Sequence, residues 1–213
     1  SEADLSNAQK LAGYDAIVFP SFSNVNTAQL PAIEKALTSA VYDYHVSLIA
    51  AGDFMTNDQN GNALAGDSYA RMKALLGVSF EGYGTGDVSV HAHDTTNPMM
   101  AGYQPQELIH NYTNVGYLHF QPVSSAGSAV LVDETVGGQT YNAVLSTHTG
   151  ATNVHFASDA ILADNNLLWQ AIDYVVKDGA AAPSVGLQMS RNASIVASRT
   201  DMDQAMERLD VSP

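Results

Sequence analysis

Two histidines and an aspartate stand close together in the middle of the sequence. His91 and His93 flank one alanine, and Asp94 follows directly. Side chains two residues apart on a strand point to the same face, and imidazole with carboxylate is a ligand set that divalent transition metals accept. No third ligand from elsewhere in the chain is identifiable from spacing. A pair of exposed strand histidines explains the same residues and is the commoner case, so both interpretations stay open.

A polar, Gly- and Asn-rich stretch at residues 56–67 offers oxygen ligands instead. Its side chains match the first, third, fifth, sixth and twelfth positions of an EF-hand loop, although threonine replaces the leading aspartate and aspartate replaces the bidentate glutamate. A hard cation such as calcium would neutralise this loop, and the alternative is a plain solvated loop. The matching residues are Thr56, Asp58, Asn60, Gly61 and Asp67.

A third candidate metal site lies near the end of the chain, where Asp201 and Asp203 flank a methionine. The two carboxylates could ligate a divalent metal, or they could stand at the start of a short helix and interact with its dipole. The helix interpretation is favoured, because two carboxylates alone make an incomplete site.

Short apolar runs predict the strands that would position a further site. Residues 15–19, 46–50 and 153–157 are continuous apolar segments, which is typical of parallel strands covered on both faces. Open α/β sheets bind ligands at the carboxyl ends of such strands. The polar residues expected there are Ser21, Ser23, Asp53, His148 and Asp159.

Amphipathic helices separate these strands and complete an α/β pattern. Residues 30–44 carry apolar side chains every three or four positions, Asp67 or Ser68 can cap a second helix that ends at Gly77, and the helix after Asp164 is strongly apolar and ends at Gly179. Trp169 is expected to lie on this buried helix. Short segments between residues 78 and 147 predict antiparallel strands. The expected fold is therefore a mixed, mostly parallel α/β sheet flanked by helices, with an antiparallel extension.

The composition shifts after Gly179. Residues 1–179 are expected to form the α/β domain, and residues 180–213 to form a linker followed by two strands and a helix, either packed on the body or opening a further domain. Both ends of the chain have the pattern expected of a fragment.

Charge excludes several kinds of partner. The chain has 22 acidic and 8 basic residues and a formal net charge of −14, so it lacks the cationic patch that nucleic acid or an anionic membrane requires. No apolar run is long enough to span a membrane. The acidic, lysine-poor composition favours a secreted or cell-surface protein. With no cysteine, the chain has no disulfide and no thiol nucleophile.

Four stretches together resemble a known family: residues 13–20 (GYDAIVFP), 48–54 (LIAAGDF), 94–103 (DTTNPMMAGY) and 154–158 (VHFAS). Their order is similar to that of class I glutamine amidotransferase-like domains, which have a flavodoxin-like fold. The resemblance implies a cysteine nucleophile at the elbow after the second strand, where this chain has Ala51, Gly52 and Asp53. Glutamine hydrolysis by that mechanism is thus excluded, and the domain is a degenerate copy.

Degenerate copies of this fold occur as accessory domains of secreted polysaccharide deacetylases and hydrolases. The stretch 194–203 (SIVASRTDMD) resembles the opening strand and Asp-rich metal motif of a deacetylase domain. The resemblance implies a non-catalytic accessory or scaffold domain that contacts polysaccharide or other domains of a larger parent chain.

Two alternatives from other classes stay open. One is a hydrolase or esterase with its site at the strand ends, with Ser21, Asp53, His148 and Asp159 as candidate catalytic residues. The other is an extracellular structural module stabilised by calcium or another divalent metal. His155 lies inside an apolar strand and is predicted to be a core histidine.

Overall fold

The structure, a computed structural model, describes residues 1–164 and 166–180. The helices in this part are α1 (Glu2–Leu5), α2 (Ala8–Leu11), α3 (Leu30–Asp43), α4 (Asp159–Ala163) and α5 (Leu167–Val176), with a π-helical turn at Met72–Leu76 and a 3₁₀ turn at Pro98–Met100. The strands are β1 (Ala16–Phe19), β2 (Phe22–Val25), β3 (Ser47–Ala51), β4 (Phe54–Asp58), β5 (Val78–Ala92), β6 (Leu108–Pro122), β7 (Ala129–Val136), β8 (Gln139–His148) and β9 (Thr152–Phe156).

The parallel strands form the buried core of the molecule. Within the described residues a seven-stranded sheet has the order β1-β3-β9-β8-β7-β5-β6, in which β1, β3 and β9 are parallel. Every residue of β3 and β9 is buried, because α5 and the π-helical turn pack on both strands and α3 packs on that turn. The mainly apolar runs thus predicted these strands correctly, because strands covered on both faces are rich in apolar residues.

The remaining strands of the sheet, β8, β7, β5 and β6, are antiparallel to their neighbours. The predicted α/β fold with an antiparallel extension is confirmed. The extension makes up the larger number of strands, because the chain continues by hairpins after β5 instead of by helical crossovers.

A second, two-stranded sheet corrects one prediction. Residues 56–67 were expected to be loop throughout, but β4 extends to Asp58 and pairs in parallel with β2. Phe54, Met55 and Thr56 are buried, so this strand is held by packing that its polar second half hides in the sequence. The helix expected before Gly77 is a π-helical turn, and Gly77 ends it in the left-handed conformation as predicted.

Helices cover both faces of the parallel strands. Ile33, Leu37 and Val41 of α3 are buried, as their spacing predicts. On the other face the Ser47 hydroxyl donates to the carbonyl of Val175 in α5 at 3.5 Å. The prediction for Trp169 was wrong: its side chain is 60% exposed, because α5 buries the opposite stripe with Leu167, Ala171 and Val175. No helix among the described residues is long and apolar enough to cross a membrane.

The two longest strands, β5 and β6, form a ribbon that bends over the sheet; we call it the β5–β6 ribbon. Only Val88–Ala92 of β5 also pair with β7, and register shifts interrupt the ribbon near Phe80 and Gly86. The free half lies over β8, where the Asn142 side chain donates to the carbonyl of Phe120 at 2.9 Å. Bulges increase local bending, which accounts for the change in direction.

The predicted boundary near residue 179 follows the last turn of α5, where Gly179 has φ of +76°. The strand pair and helix predicted in the tail, and with them the candidate ligands Asp201 and Asp203, lie outside the described residues.

Gly150, in the turn between β8 and β9, gives a test of this packing. A Cβ on Gly150 would lie 2.5 Å from the carbonyl oxygen of Val41 and 2.6 Å from Cα of Tyr42, so α3 would have to move. We expect G150A to lower the free energy of unfolding by about 1–3 kcal/mol, measured by urea denaturation. In the control variant G116A, the added Cβ would come no closer than 3.9 Å to Gly84, and the loss should be smaller. Equal losses in both variants would contradict the packing of this turn against α3.

Candidate functional site

The turn after β3 occupies the place where the related fold carries its nucleophile. Gly52 has φ of +63°, and its N–H donates to the carbonyl of Phe156 at 2.8 Å. Asp53 follows, and β4 begins at Phe54. The connection is therefore strand–turn–strand, and it lacks both the nucleophile and the helix that would start at this elbow in an amidotransferase.

The side chain of His155 on β9 forms a hydrogen bond with this turn. Its Nε2 lies 2.8 Å from the carbonyl oxygen of Gly52, so the neutral ring donates its Nε2–H there. The Phe120 ring of the β5–β6 ribbon meets the imidazole edge-on at 4.5 Å between centroids. Burial lowers the pKa of His155 to about 4. As the sequence predicts, His155 is a core histidine, and it stays uncharged at neutral pH.

Asp53 is the carboxylate nearest the turn. It is half-buried; burial raises its pKa, and a hydrogen bond from Tyr69 acts in the opposite direction. Burial and the neighbouring Asp53 in turn raise the pKa of Tyr69 to about 12. The Tyr69 ring stacks on Phe80 of the ribbon at 4.6 Å, so the ribbon also covers this side of the strand ends.

A second acidic group lies beyond the end of β9. The Tyr112 hydroxyl donates to Asp164, and Nδ1 of His110 lies 3.4 Å from the same carboxylate. Burial, followed by the hydrogen bond and the charges of Asp164 and Asp159, holds the pKa of Tyr112 far above its usual value. Asp159 accepts from the N–H of Ala160 at 2.9 Å. Sequence spacing could not identify Tyr112 and His110, because their partner is more than fifty residues away.

The other strand-end candidates do not converge on Asp53. Ser21 is exposed just after β1, and the Ser23 hydroxyl donates to Asn24 at 3.3 Å. The prediction for His148 was wrong. Because β8 runs antiparallel to β9, His148 pairs with Thr152, the first residue of β9, and so lies at the amino end of the parallel strands. The structure therefore does not bring Asp53 and His148 together.

His91 and His93 lie beside the carboxylate of Asp133, whereas the sequence predicted Asp94. Nδ1 of His93 lies 2.9 Å, and Nδ1 of His91 3.9 Å, from the buried carboxylate of Asp133 on β7. The two histidines thus point to the same face, as predicted. Asp94 instead accepts from the N–H of Thr96 at 3.0 Å, which holds a turn.

The candidate calcium ligands likewise have separate partners. The Asp58 carboxylate accepts from the N–H groups of Asn60 and Asn62 at 2.8 and 2.9 Å, and these bonds lower its pKa. Asp67 pairs with Lys73 at 2.7 Å. The EF-hand offsets therefore describe a tight turn followed by a capped helical turn. Among the described residues no three His, Asp or Glu side chains are arranged to hold a metal ion.

Glu134 is a functional candidate that the sequence did not indicate. It lies on β7, its side chain is 1% exposed, and its Oε1 has no hydrogen-bond partner among the described residues. Burial raises the pKa of Glu134 to about 8. The strand predicted from the sequence ends at Asp133, one residue earlier, and β7 continues to Val136, so only the packing in the structure reveals the burial of Glu134.

Three stacked rings cover the region around Glu134; we call them the ring cluster. Tyr141 is the cross-strand partner of Glu134, and its ring lies 4.1 Å from His119 and 5.8 Å from Tyr117 between centroids. Gly84 and Gly82 face these rings, and a Cβ there would come within 2.5 Å of the Tyr117 hydroxyl and 2.7 Å of His119 Nε2. The glycines thus allow the rings to lie flat across β5.

Comparison with known proteins supports the fold. No family model matches the chain, and no curated protein matches it in sequence. A ThuA-like protein from Bacteroides uniformis has a similar structure, with a TM-score of 0.55 at 16% identity over 81% of this chain and 74% of that one. A cytoplasmic protein from Salmonella typhimurium LT2 gives a TM-score of 0.53 at 15% identity over 83% of this chain and 75% of its own.

A β-galactosidase from Rahnella sp. R3 is also similar, with a TM-score of 0.53 at 15% identity over 78% of this chain. This chain spans 22% of that enzyme's length. ThuA-like proteins have a glutamine amidotransferase-like fold, so the fold implied by the sequence motifs is confirmed at this level.

The neutral state of His155 generates a prediction. Because its folded pKa lies below the usual ~6.5, its contribution to stability is complete above that pH and is lost as the pH falls toward 4. We expect H155Q to be less stable than the native chain by about 1–3 kcal/mol at neutral pH, by urea denaturation. The difference should shrink by about 1–2 kcal/mol near pH 4.5. A difference that is constant with pH would mean that His155 is not buried in its neutral form.

Glu134 predicts the opposite pH dependence. Its folded pKa lies above the usual value of 4.5, so its contribution to stability is complete at low pH and is lost as the pH rises toward 8. We expect E134Q to raise the Tm by about 4 °C or more near pH 8.5 and to change it little near pH 5. The control E81Q alters a half-exposed carboxylate on the ribbon and should show no such rise. If E134Q and E81Q respond alike, Glu134 is not buried without a partner.

Proposed function

We propose that this chain is a non-catalytic accessory domain of a secreted, polysaccharide-processing protein, in which it contacts glycan or holds neighbouring domains. The observation that carries the proposal is the turn at Gly52. It lacks a cysteine nucleophile, it leads into β4 instead of a helix, and its Gly52 carbonyl accepts a hydrogen bond from the neutral His155. The fold therefore retains the scaffold of an amidotransferase-like domain without the chemistry of one.

The β5–β6 ribbon supports the same proposal. Leu118 approaches the turn, with its Cδ1 3.9 Å from the position of a Cβ on Gly52, and Phe120 packs on His155. Apolar side chains thus lie where a substrate of this fold would approach the elbow. A surface for binding can survive on such a domain although the reacting position is covered.

The similarity to part of a β-galactosidase supports a carbohydrate-related setting. The shared fold accounts for about a fifth of that enzyme, so it is one domain among others there. The polar, lysine-poor composition of this chain, with 10 tyrosines, suits contact with hydroxyl-rich ligands, because tyrosine offers both a ring face and a polar tip. Secretion remains a proposal that rests on composition.

One observation favours a second candidate, a hydrolase acting at the strand ends. Asp53 is half-buried, burial raises its pKa, and its Oδ1 has no hydrogen-bond partner among the described residues. A carboxyl group in this state could serve as a general acid. Because His148 lies at the opposite end of the parallel strands, Asp53 would have to act without it.

One experiment separates the two functions. The full chain is tested by affinity electrophoresis in gels that contain galactan, mannan, xylan or chitosan, and the same polysaccharides are assayed for released reducing ends. We expect at least one polysaccharide to retard the chain and none to be hydrolysed above the background rate. D53N should behave like the native chain in both assays. Hydrolysis that D53N abolishes would establish the hydrolase instead, and absence of retardation by every polysaccharide would refute the glycan-binding role.

A further inference from the structure

The ring cluster and Glu134 lie together beneath the free half of the ribbon, and we call this region the recess. Tyr117 and Tyr141 are half-buried, so one side of the cluster faces solvent. Burial raises the pKa of Tyr117, followed by the neighbouring Tyr141 and, least, by the charge of Glu134, which lies on the other side of the cluster. The recess therefore has an aromatic rim above a buried carboxyl group.

Among residues 1–164 and 166–180, no lysine or arginine forms an ion pair with this carboxyl group. The lysine and arginine ion pairs in the described part of the chain lie elsewhere, on Asp4, Glu34, Asp67 and Asp173. Among the described residues, Tyr141 of β8 is the cross-strand partner of Glu134, and the charge of Glu134 reaches Tyr117 of β6. His119 of β6 stacks on both of these rings. Glu81 of β5 lies 3.6 Å from Nδ1 of His119 and adds a second carboxylate to the rim.

A buried polar group without a partner typically costs about 1–3 kcal/mol. This cost applies to Glu134, whose Oε1 has no partner among the described residues. The absence of a side chain at Gly82 and Gly84 leaves room for the rings of the cluster. Buried polar groups without a partner are common at sites that bind a ligand, because the ligand supplies the missing partner.

We propose that this recess binds a primary ammonium group carried by a sugar unit, with Glu134 as its counter-ion and the ring cluster as its wall. The inference rests on the proposed glycan-binding function and names the chemical class of the glycan, an amino sugar. Aromatic faces attract ammonium groups, and the tyrosine hydroxyls can bond the sugar hydroxyls. On binding, the proton of the Glu134 carboxyl group leaves to solvent, and the carboxylate pairs with the ammonium.

A neutral sugar fits the recess less well. It would bring hydroxyl groups but no charge to compensate an ionised Glu134 beside Glu81, whereas the net charge of −14 attracts a cationic glycan from solution. The ammonium group therefore distinguishes the expected ligand from other polysaccharide units.

The experiment is isothermal titration of the full chain near pH 7 with an oligomer of β-1,4-linked glucosamine. The matched ligands are the N-acetylated oligomer of the same length, which lacks the ammonium, and spermidine, which lacks the sugar. We expect the glucosamine oligomer to bind at least tenfold more tightly than either. Binding in buffers of different ionisation enthalpy should reveal proton release.

Variants locate the site. E134Q and Y141A should each weaken binding of the glucosamine oligomer at least tenfold, and thermal unfolding checks that both are folded. Y83A is the aromatic control, because Tyr83 is on the same ribbon but 79% exposed. Its affinity should equal that of the native chain.

The outcomes separate this inference from the proposed function. If the native chain binds polysaccharide and E134Q and Y141A bind it equally well, the inference is wrong and the proposed function stands. If the N-acetylated oligomer or spermidine binds as tightly as the glucosamine oligomer, the amino-sugar assignment is wrong. If no polysaccharide binds, the proposed function fails and the inference fails with it.

Discussion

The hydrogen bond from His155 to the carbonyl of Gly52 ties together the parts of the molecule on which the site depends. It joins the ends of β3 and β9, and the same imidazole receives the edge of Phe120 from the β5–β6 ribbon. Burial keeps this imidazole neutral, since an uncompensated charge there would be costly, and it outweighs the opposite effect of the hydrogen bond to Gly52 on the pKa. Sheet, turn and ribbon are therefore held by one uncharged side chain.

This arrangement differs from the catalytic elbow that the resemblance to amidotransferase-like domains implies. In an α/β sheet the carboxyl ends of the parallel strands are the usual place for a ligand, and the ribbon lies over that place here. Polar groups remain around it, with Asp53 against Tyr69 on one side and Asp164 against Tyr112 on the other. Each carboxylate has a tyrosine as its neighbour and none has a nucleophile. The binding surface that we propose is instead the ring cluster beneath the free half of the ribbon.

Local patterns in the sequence predicted local structure well. The mainly apolar runs at β3 and β9 identified the parallel core because strands covered on both faces consist largely of apolar residues. The polar residues within them, such as Asn153 and His155, are buried and hydrogen-bonded. The spacing of α3 and the left-handed Gly77 were equally readable, since both depend on the nearest few residues. His155 was recognised as a core residue for the same reason.

Features that depend on distant contacts were not readable. His148 was assigned to the wrong end of the parallel strands, because the direction of β8 follows from its pairing with β9, which residue spacing does not encode. Asp133, not Asp94, joins His91 and His93, because the partner is on another strand. Trp169 is exposed although its helix is apolar, and β4 is a strand although its second half is polar. Glu134 could not be found from sequence, since its burial results from a ribbon that starts more than fifty residues earlier.

The most direct test of this account is the titration of the His155 ring by NMR, with the resonance assigned by comparison with H155Q. The account predicts that His155 titrates near pH 4, with the proton on Nε2 throughout the neutral range. Titration near the usual value of ~6.5 would show that the imidazole is open to solvent, and it would contradict the placement of the ribbon over the strand ends.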